Sequence, residues 1–502
     1  MLLRKLIKNN LKNKKNSIIS GLSSNSKEVK KNFIFFAIKG NKINGENFIK
    51  SAIKKGASVI VCSKNCKIND KKIIIIKTNK VRTLLSEAAA KFYKLKPKNI
   101  IAVTGTNGKS SVADFFHQIL TLNGLPVATI GTLGIKTKKF KKNNLTSPDI
   151  ISLHRELSSL KEKKIDNVLL EASSHGLDQG RLDGIDFKAG IFTNFSQDHM
   201  DYHKSMKNYL DSKLILFKKL LKKNSYVILD KTTPVYKIIK RISKKRKLKV
   251  VFTNSLIDDY DISNFKLIGK FQVKNLLMAI KACEILGLSK KKISKSLPKL
   301  KNIKGRLELV KKFPDQTRVF IDFAHTPDAI STAINSLKTH YKKNVTVVFG
   351  CGGERDKVKR RKMGKIVNKL CNKIYITDDN PRREKPEIIR KAITKHIDKK
   401  KVFEIGNRAN AIRTAIKQSS PDELVLIAGK GHENFQDYGW KKYKISDFEI
   451  VRNLRIKKNS SKIKINLKKN NFLIKKINNE TFLIKIKNAN ALVKAQNDSR
   501  NK

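Results

Sequence analysis

The sequence predicts an α/β protein of three domains: a smaller α/β N-terminal domain, a central domain built on a mostly parallel sheet, and a doubly wound C-terminal domain. Three observations lead there. A chain of 502 residues exceeds what one ordinary core absorbs, so about three domains are expected. Hydrophobic residues make up 39% and charged residues 30%, which is enough apolar surface for several cores and unlike a disordered chain. Short β-branched runs alternate with helix-spaced segments, stop, and start again, the pattern of buried parallel strands covered by helices on both faces.

In residues 1–97, Phe33–Ile38, Ser58–Cys62 and Ile73–Ile76 read as buried strands, with helical spacing in Phe48–Ile53 between them. Lys96-Pro97-Lys98 reads as a linker. Over 98–303, the strand candidates Ile100–Val103, Asn167–Glu171 and Ala189–Asn194 end in polar groups. Ligands collect at such carboxyl ends in open α/β sheets. The alternation restarts over 304–456 with Val319–Asp322, Val345–Gly350, Lys373–Thr377 and Leu424–Ala428, each followed by a polar or Gly-rich turn and a helical pattern. Residues 457–502 form a basic, Lys/Asn/Ile-rich extension with weak strand-like alternation, and their composition fixes no order.

The chain carries 111 Lys+Arg against 41 Asp+Glu, a formal charge of +70. A nucleic-acid-binding protein would gather its cations with aromatics on one element. Here they are dispersed among abundant Asn and Ile, so coding bias is the simpler origin and no nucleic-acid partner is expected. Cys62, Cys66, Cys283, Cys351 and Cys371 are too few and scattered for a disulfide framework, and no second Cys/His pair completes a zinc site beside Cys62 and Cys66. The segment Met1–Lys15 is basic without a sustained apolar core, and no apolar run approaches the ~20 residues that span a bilayer. A soluble, cytoplasmic protein with reduced thiols and no transmembrane segment is expected, and a monomer.

Ile100–Val103 runs into Thr104-Gly105-Thr106-Asn107-Gly108-Lys109-Ser110-Ser111, after which Phe115, Phe116, Ile119 and Leu120 share one face of a helix. Glycines let backbone N–H groups approach phosphate oxygens, and the helix N-terminus adds its positive dipole end. In such a loop Lys109 reaches the β- and γ-phosphates and the Ser110 hydroxyl ligates Mg²⁺. Val103 stands where an eight-residue P-loop has its first Gly, so the motif is a shortened one. ATP and Mg²⁺ are the expected cofactors.

This loop is followed by Glu171-Ala172-Ser173-Ser174-His175-Gly176-Leu177, Asp198-His199-Met200-Asp201-Tyr202-His203, Gly305-Arg306-Leu307-Glu308 and Asp322-Phe323-Ala324-His325-Thr326-Pro327. Together, and in this order, they resemble the Mur ligases over roughly residues 20 to 455. The resemblance implies an N-terminal UDP-binding domain, a central P-loop-type ATPase domain and a C-terminal Rossmann-like domain for the acceptor amino acid. It implies an ATP-dependent ligase of peptidoglycan precursor synthesis that acts on UDP-N-acetylmuramoyl-L-Ala-D-Glu through an acyl phosphate. Asp379-Asn380-Pro381-Arg382 marks the acceptor site in the resembling family, and its Arg goes with meso-diaminopimelate rather than lysine. The reason is physical, since a guanidinium grips the second carboxylate of diaminopimelate through a bidentate pair.

By the same resemblance, Arg355, Gly429 and Glu433 complete the acceptor pocket, with Glu433 facing the distal ammonium. Glu171 and His199 join Ser110 around a first Mg²⁺, and Lys213 matches a lysine that CO₂ carbamylates (N6-carboxylysine) to hold a second. Lys109, Glu171, His199 and Lys213 are thus the implied catalytic set. Gly105, Thr106, Asn107, Gly108 and Ser111 complete the ATP loop, with Asn275, Arg306 and Asp322 around the rest of the nucleotide. Ser26 falls on the uracil side, and Thr146, Ser147, Ser173 and Arg181 match positions that hold the muramoyl-dipeptide. Lys27, Glu354 and Gln272 depart mildly from the family's usual Arg, Asp and Asn.

Overall fold

A computed structural model describes residues 1–7, 17–40, 43–70, 72–137, 140–141, 145–261, 267–456, 473–478, 481–486 and 489–494. In the N-terminal part, Gly21–Ser23 (β1), Phe33–Phe36 (β2), Ala57–Cys62 (β3) and Ile74–Lys77 (β4) form a parallel sheet in the order β1-β2-β3-β4. The three longer strands are those the apolar runs predict. Gly21–Ser23 is too short to stand out in sequence.

The central sheet contains Asn99–Thr104 (β5), Val127–Gly131 (β6), Gly134–Lys136 (β7), Phe140–Lys141 (β8), Asn167–Glu171 (β9), Phe187–Phe192 (β10), Leu221–Leu229 (β11) and Lys249–Phe252 (β12). Its order is β12-β11-β10-β5-β9-β6-β7-β8, parallel except for the antiparallel β6-β7-β8 edge. Strand alternation explains why this sheet is buried twice. Ile101 and Val103 of β5 face the helices Lys109–Leu122 and Lys270–Ile285, while Ile100 and Ala102 face the helix Ile150–Glu162 on the other side.

The C-terminal sheet holds Glu308–Lys312 (β13), Arg318–Asp322 (β14), Val345–Phe349 (β15), Ile374–Ile376 (β16), Val402–Glu404 (β17) and Leu424–Ala428 (β18), in the order β13-β14-β18-β15-β16-β17. All pairs are parallel except β13 with β14. The edge strands β13 and β17 escape the sequence pattern because they are half exposed and mix charged with apolar residues. Phe435–Asp437 (β19) and Lys442–Lys444 (β20) make a hairpin. Beyond it, Leu473–Asn478 (β21), Thr481–Ile486 (β22) and Ala489–Lys494 (β23) form an antiparallel meander within the basic extension, whose residues 457–472 lie outside the described residues. Among the described residues no helix is long and apolar enough to cross a membrane. All five cysteines are buried and free.

One buried ion pair anchors the end of β18. Arg408 Nε and Nη2 donate to the two oxygens of Asp447 at 2.8 and 2.7 Å, and Nη2 also donates to the Ala428 carbonyl at 3.1 Å. The two side chains are 0% and 1% exposed. Removing one partner leaves the other charge buried and unpaired, so Asp447→Ala is expected to destabilise the C-terminal domain by about 3–5 kcal/mol. Chemical denaturation measures this, and an unchanged midpoint would show that the pair does not hold this end of the sheet.

Candidate active site

The shortened Gly-rich loop joins β5 to the helix Lys109–Leu122. Gly108 precedes the helix at φ 86°, and a Cβ there would lie 2.5 Å from Asn275 Oδ1, so both backbone and space call for glycine. The residues after β10 clamp the loop. Thr193 Oγ1 donates to the Asn107 carbonyl at 2.6 Å, and the Asn107 N–H donates to Asn194 Oδ1 at 2.9 Å. Thr106 Oγ1 donates to the Ser196 carbonyl at 3.0 Å and accepts from the Tyr209 hydroxyl at 3.2 Å.

Two lysines meet at one oxygen of this loop. Lys109 Nζ donates to the carbonyls of Gly105 at 3.0 Å and Thr106 at 2.8 Å. Lys213 Nζ donates to the same Gly105 oxygen at 2.8 Å. Lys213 lies on the helix Met206–Ile215, one turn after Tyr209, whose ring centroid is 4.4 Å from the amine. Burial, and then the neighbouring Lys109, push the Lys213 amine well below the usual lysine range. Burial also lowers Lys109, but Glu171 and Asp198 oppose it. Burial and Lys109 thus both favour the uncharged, nucleophilic form of the Lys213 amine.

Glu171 closes β9 with Oε1 accepting from the Thr132 N–H at 3.1 Å and Oε2 from the Thr132 hydroxyl at 3.0 Å. His199 holds φ 59°, in the left-handed region, with Nε2 3.3 Å from Asp198 Oδ2. Its ring stands edge-on to His175 with centroids 4.8 Å apart. Burial holds His199 well below the usual histidine range, so its ring is neutral, the form that binds metal. From the C-terminal domain, His325 Nε2 and Lys359 Nζ approach Asp198 at 3.6 and 3.9 Å.

Among the described residues no group of three or more His, Cys, Asp and Glu is placed to hold a metal alone. Ser110, Glu171, His199 and Lys213 nevertheless line one cleft. A sparse set of oxygen donors with one imidazole suits Mg²⁺, which retains waters and takes its remaining ligands from phosphate.

This cleft, of about 590 Å³, is also lined by Thr106, Asn107, Gly108, Lys109 and Ser111. Arg306 enters it from the start of the C-terminal domain, donating through Nη2 to Ser110 Oγ at 3.2 Å, with its guanidinium 4.5 Å from the Phe323 centroid. Asp322 ends β14 and accepts from the Leu307 N–H at 2.6 Å. Burial raises its carboxyl to about 6, against the pull of Arg306. Asn275 donates to Gln272 Oε1 at 3.2 Å. Asp230, Thr232, Phe271 and Lys274 also wall the cleft, and sequence reasoning missed them. Asp230 and Thr232 belong to no motif, and only the position of Asp230 just after β11 signals it, whereas Phe271 and Lys274 flank Gln272 and Asn275 on the helix Lys270–Ile285.

A second cleft of about 150 Å³ adjoins the first, sharing Asp198, His199, Phe323, His325, Arg355 and Glu433. Its far wall contains Asp379, Asn380, Arg382 and Gly429, the loops after β16 and β18. Arg382 takes φ 54° and donates through Nη1 to the Gly353 carbonyl at 2.7 Å. Burial, then Arg355, lower its guanidinium from the usual range. Pro381 is buried and shapes the turn without lining the cleft. Glu433 Oε2 accepts from Asn380 Nδ2 and from Lys430 Nζ, each at 3.0 Å. Lys430 is a further residue that the sequence leaves unassigned.

Thr146 and Ser173 line the larger cleft, whereas Ser26, Ser147 and Arg181 are not among the described residues lining either one. Ser147 is fully buried, donating to the Glu171 carbonyl at 2.8 Å and accepting from the Ser173 N–H at 3.0 Å. Arg181 donates to the Ser147 carbonyl at 2.9 Å. Both thus brace the loop that carries Ser173. Ser26 is buried in the turn Ser26–Glu28 of the N-terminal domain.

Comparison with known proteins follows the same three segments. The chain matches the Mur ligase family catalytic domain over residues 18–93, the Mur ligase middle domain over 103–265 and the Mur ligase glutamate ligase domain over 305–431. It is 40% identical over 464 residues to a UDP-N-acetylmuramoyl-L-alanyl-D-glutamate–2,6-diaminopimelate ligase of Rickettsia montanensis, covering 86% of this chain and 95% of that protein. A ligase of the same name from Brucella melitensis is 38% identical over 445 residues, covering 84% and 91%. A solved structure of a ligase of that name superposes with a TM-score of 0.61 at 26% identity, over 90% of this chain and 98% of that one. A MurF ligase from Thermotoga maritima in complex with ADP shares the fold, with a TM-score of 0.54 at 17% identity, over 81% and 93%. Identity of this order over more than four fifths of the sequence goes beyond a common fold, and the chain belongs to the Mur ligase family.

Proposed function

We propose that the chain joins meso-diaminopimelate to the γ-carboxylate of D-Glu in UDP-N-acetylmuramoyl-L-Ala-D-Glu, converting ATP to ADP and phosphate. The observation that carries this reading is the continuity of the two clefts, one holding the phosphate loop and the other holding Arg355 and Arg382 opposite Asp379 and Glu433. Diaminopimelate carries an ammonium and a carboxylate at each end. Paired guanidiniums and carboxylates complement its distal end, whereas lysine has no second carboxylate and leaves the half-buried Arg382 without an anionic ligand. The names of the 38–40% identical relatives support the same substrates.

The chemistry follows from what a carboxylate lacks. Oxide is a prohibitive leaving group, so the substrate carboxylate attacks the γ-phosphorus of ATP, the bond to ADP breaks, and an acyl phosphate forms. The unprotonated amine of the acceptor then adds to the acyl carbon, and collapse of the tetrahedral intermediate expels phosphate and leaves an amide. Two anions must be brought together in the first step, so cationic and N–H donors dominate that end of the cleft. Lys109, the loop N–H groups and Arg306 beside Ser110 serve the phosphates. Bound Mg²⁺, held by Ser110, Glu171 and His199, supplies further positive charge at the phosphate oxygens. The neutral Lys213 amine adds to CO₂ with loss of a proton, so a buried lysine becomes a carboxylate-like ligand.

Phosphate release from ATP in the presence of the UDP-dipeptide tests this reading. Turnover is expected with meso-diaminopimelate and at least about a hundredfold less with L-lysine. Comparable turnover with lysine would remove Arg382 from acceptor selection, and none with either would overturn the assignment of substrates. Lys213→Ala is expected to lose about a hundredfold or more in kcat, with partial recovery on adding formate or acetate to replace the missing carboxylate. Undiminished activity in that variant would exclude Lys213 from the reaction.

A further inference from the structure

The motif Gly429-Lys430-Gly431-His432-Glu433 contains a lysine that the reaction as described leaves without work. Its side chain is wholly buried, although Gly429 beside it and Glu433 three residues on line an open pocket. Burying an ammonium is unfavourable unless its protons are taken up. Lys430 Nζ donates to Glu433 Oε2 at 3.0 Å and to Asn380 Oδ1 at 3.1 Å, and it lies 5.7 Å from the Phe435 ring centroid.

These bonds settle how both neighbours present themselves. Asn380 Oδ1 accepts from Lys430 and from the Asp437 N–H at 2.9 Å, so its amide nitrogen is directed the other way, onto Glu433 Oε2. Glu433 is thereby gripped at a single oxygen from two sides. Since Glu433 is intermediate in exposure and lines both clefts, its carboxylate is held in place for a ligand while Lys430 stays behind it, out of contact. The tie also spans two loops, linking the residues after β16 to those after β18.

We infer that Lys430 is a positioning residue for acceptor selection: it fixes Glu433, directly and through Asn380, so that the Glu433 carboxylate receives the distal ammonium of the diamino-dicarboxylate. This rests on the acceptor reading of the pocket given above. Lys430 touches neither the nucleotide loop nor the reacting carboxyl, so its loss acts on acceptor binding and leaves the ATP half of the reaction intact. An unpinned Glu433, free to swing or to draw in water, makes a poorer ammonium acceptor.

Steady-state kinetics on the full chain tests this with Lys430→Met, Glu433→Gln and the double variant. Lys430→Met is expected to raise KM for meso-diaminopimelate on the order of tenfold or more, with KM for ATP unchanged and kcat within about threefold. Because the lysine acts through Glu433, the double variant is expected to match Glu433→Gln rather than multiply the two effects. Lys430→Arg, which keeps a cation and donors, is expected to recover part of the loss. An unchanged KM for the acceptor in Lys430→Met, or effects that multiply, would overturn the proposal. Should Lys430→Met not fold, the double variant, which buries no unpaired charge, carries the comparison with Glu433→Gln alone. Absence of acceptor-dependent turnover in the unmodified protein would instead fault the acceptor assignment, a distinct outcome.

Discussion

Two buried lysines that converge on one carbonyl oxygen set the terms for the rest of the site. Lys109 and Lys213 lie 3.0 and 2.8 Å from the Gly105 oxygen. Two full charges this close repel by about 3 kcal/mol even at an effective dielectric near 20, and burial adds its own penalty to each. Lys109 has Glu171 and Asp198 to hold its proton, while Lys213 has the weaker support of Asp198 alone. The two environments differ accordingly: the carboxylates favour the charged form of Lys109 more than that of Lys213, as the roles proposed for them require. Turning that amine into an anion would relieve the repulsion and balance the positive charge that ATP-bound metal brings.

The fold delivers the other half of the site by the same logic of strand ends. Gly350 and Cys351 follow β15, Asp379 follows β16 and Gly429 follows β18, so the smaller cleft is built from the carboxyl edge of one parallel sheet, while Asp322 at the end of β14 lines the larger one. That edge faces the corresponding edge of the central sheet, where β5, β9 and β10 present the phosphate loop, Glu171 and the Asp198-His199 turn. Arg306 reaching Ser110, and His325 and Lys359 reaching Asp198, join the two edges across the domain boundary. The two clefts join there because two ordinary α/β sheets are set edge to edge.

Much of this was legible in the residues. Apolar runs such as Val345–Phe349 and Leu424–Ala428 announce strands buried on both faces, and the loop from Thr104 to Ser111 announces phosphate. The exposed edges β13 and β17 were not legible, since a half-solvated strand carries no apolar run. Asp230 and Thr232 after β11, and Phe271 and Lys274 on the helix that carries Asn275, were missed because only folding brings that loop and that helix to one wall. Lys430 was missed for another reason. In a chain with 111 basic residues one lysine has no distinguishing mark, and its importance lies in being fully buried, which sequence does not record.

The state of Lys213 is the most direct test of this arrangement. Protein equilibrated with ¹³C-bicarbonate and Mg²⁺ is expected to show a carbamate carbon resonance that disappears in Lys213→Arg together with ligase activity. Full activity in protein from which CO₂ has been exhaustively removed, with no carbamate resonance, would contradict the role assigned to this lysine.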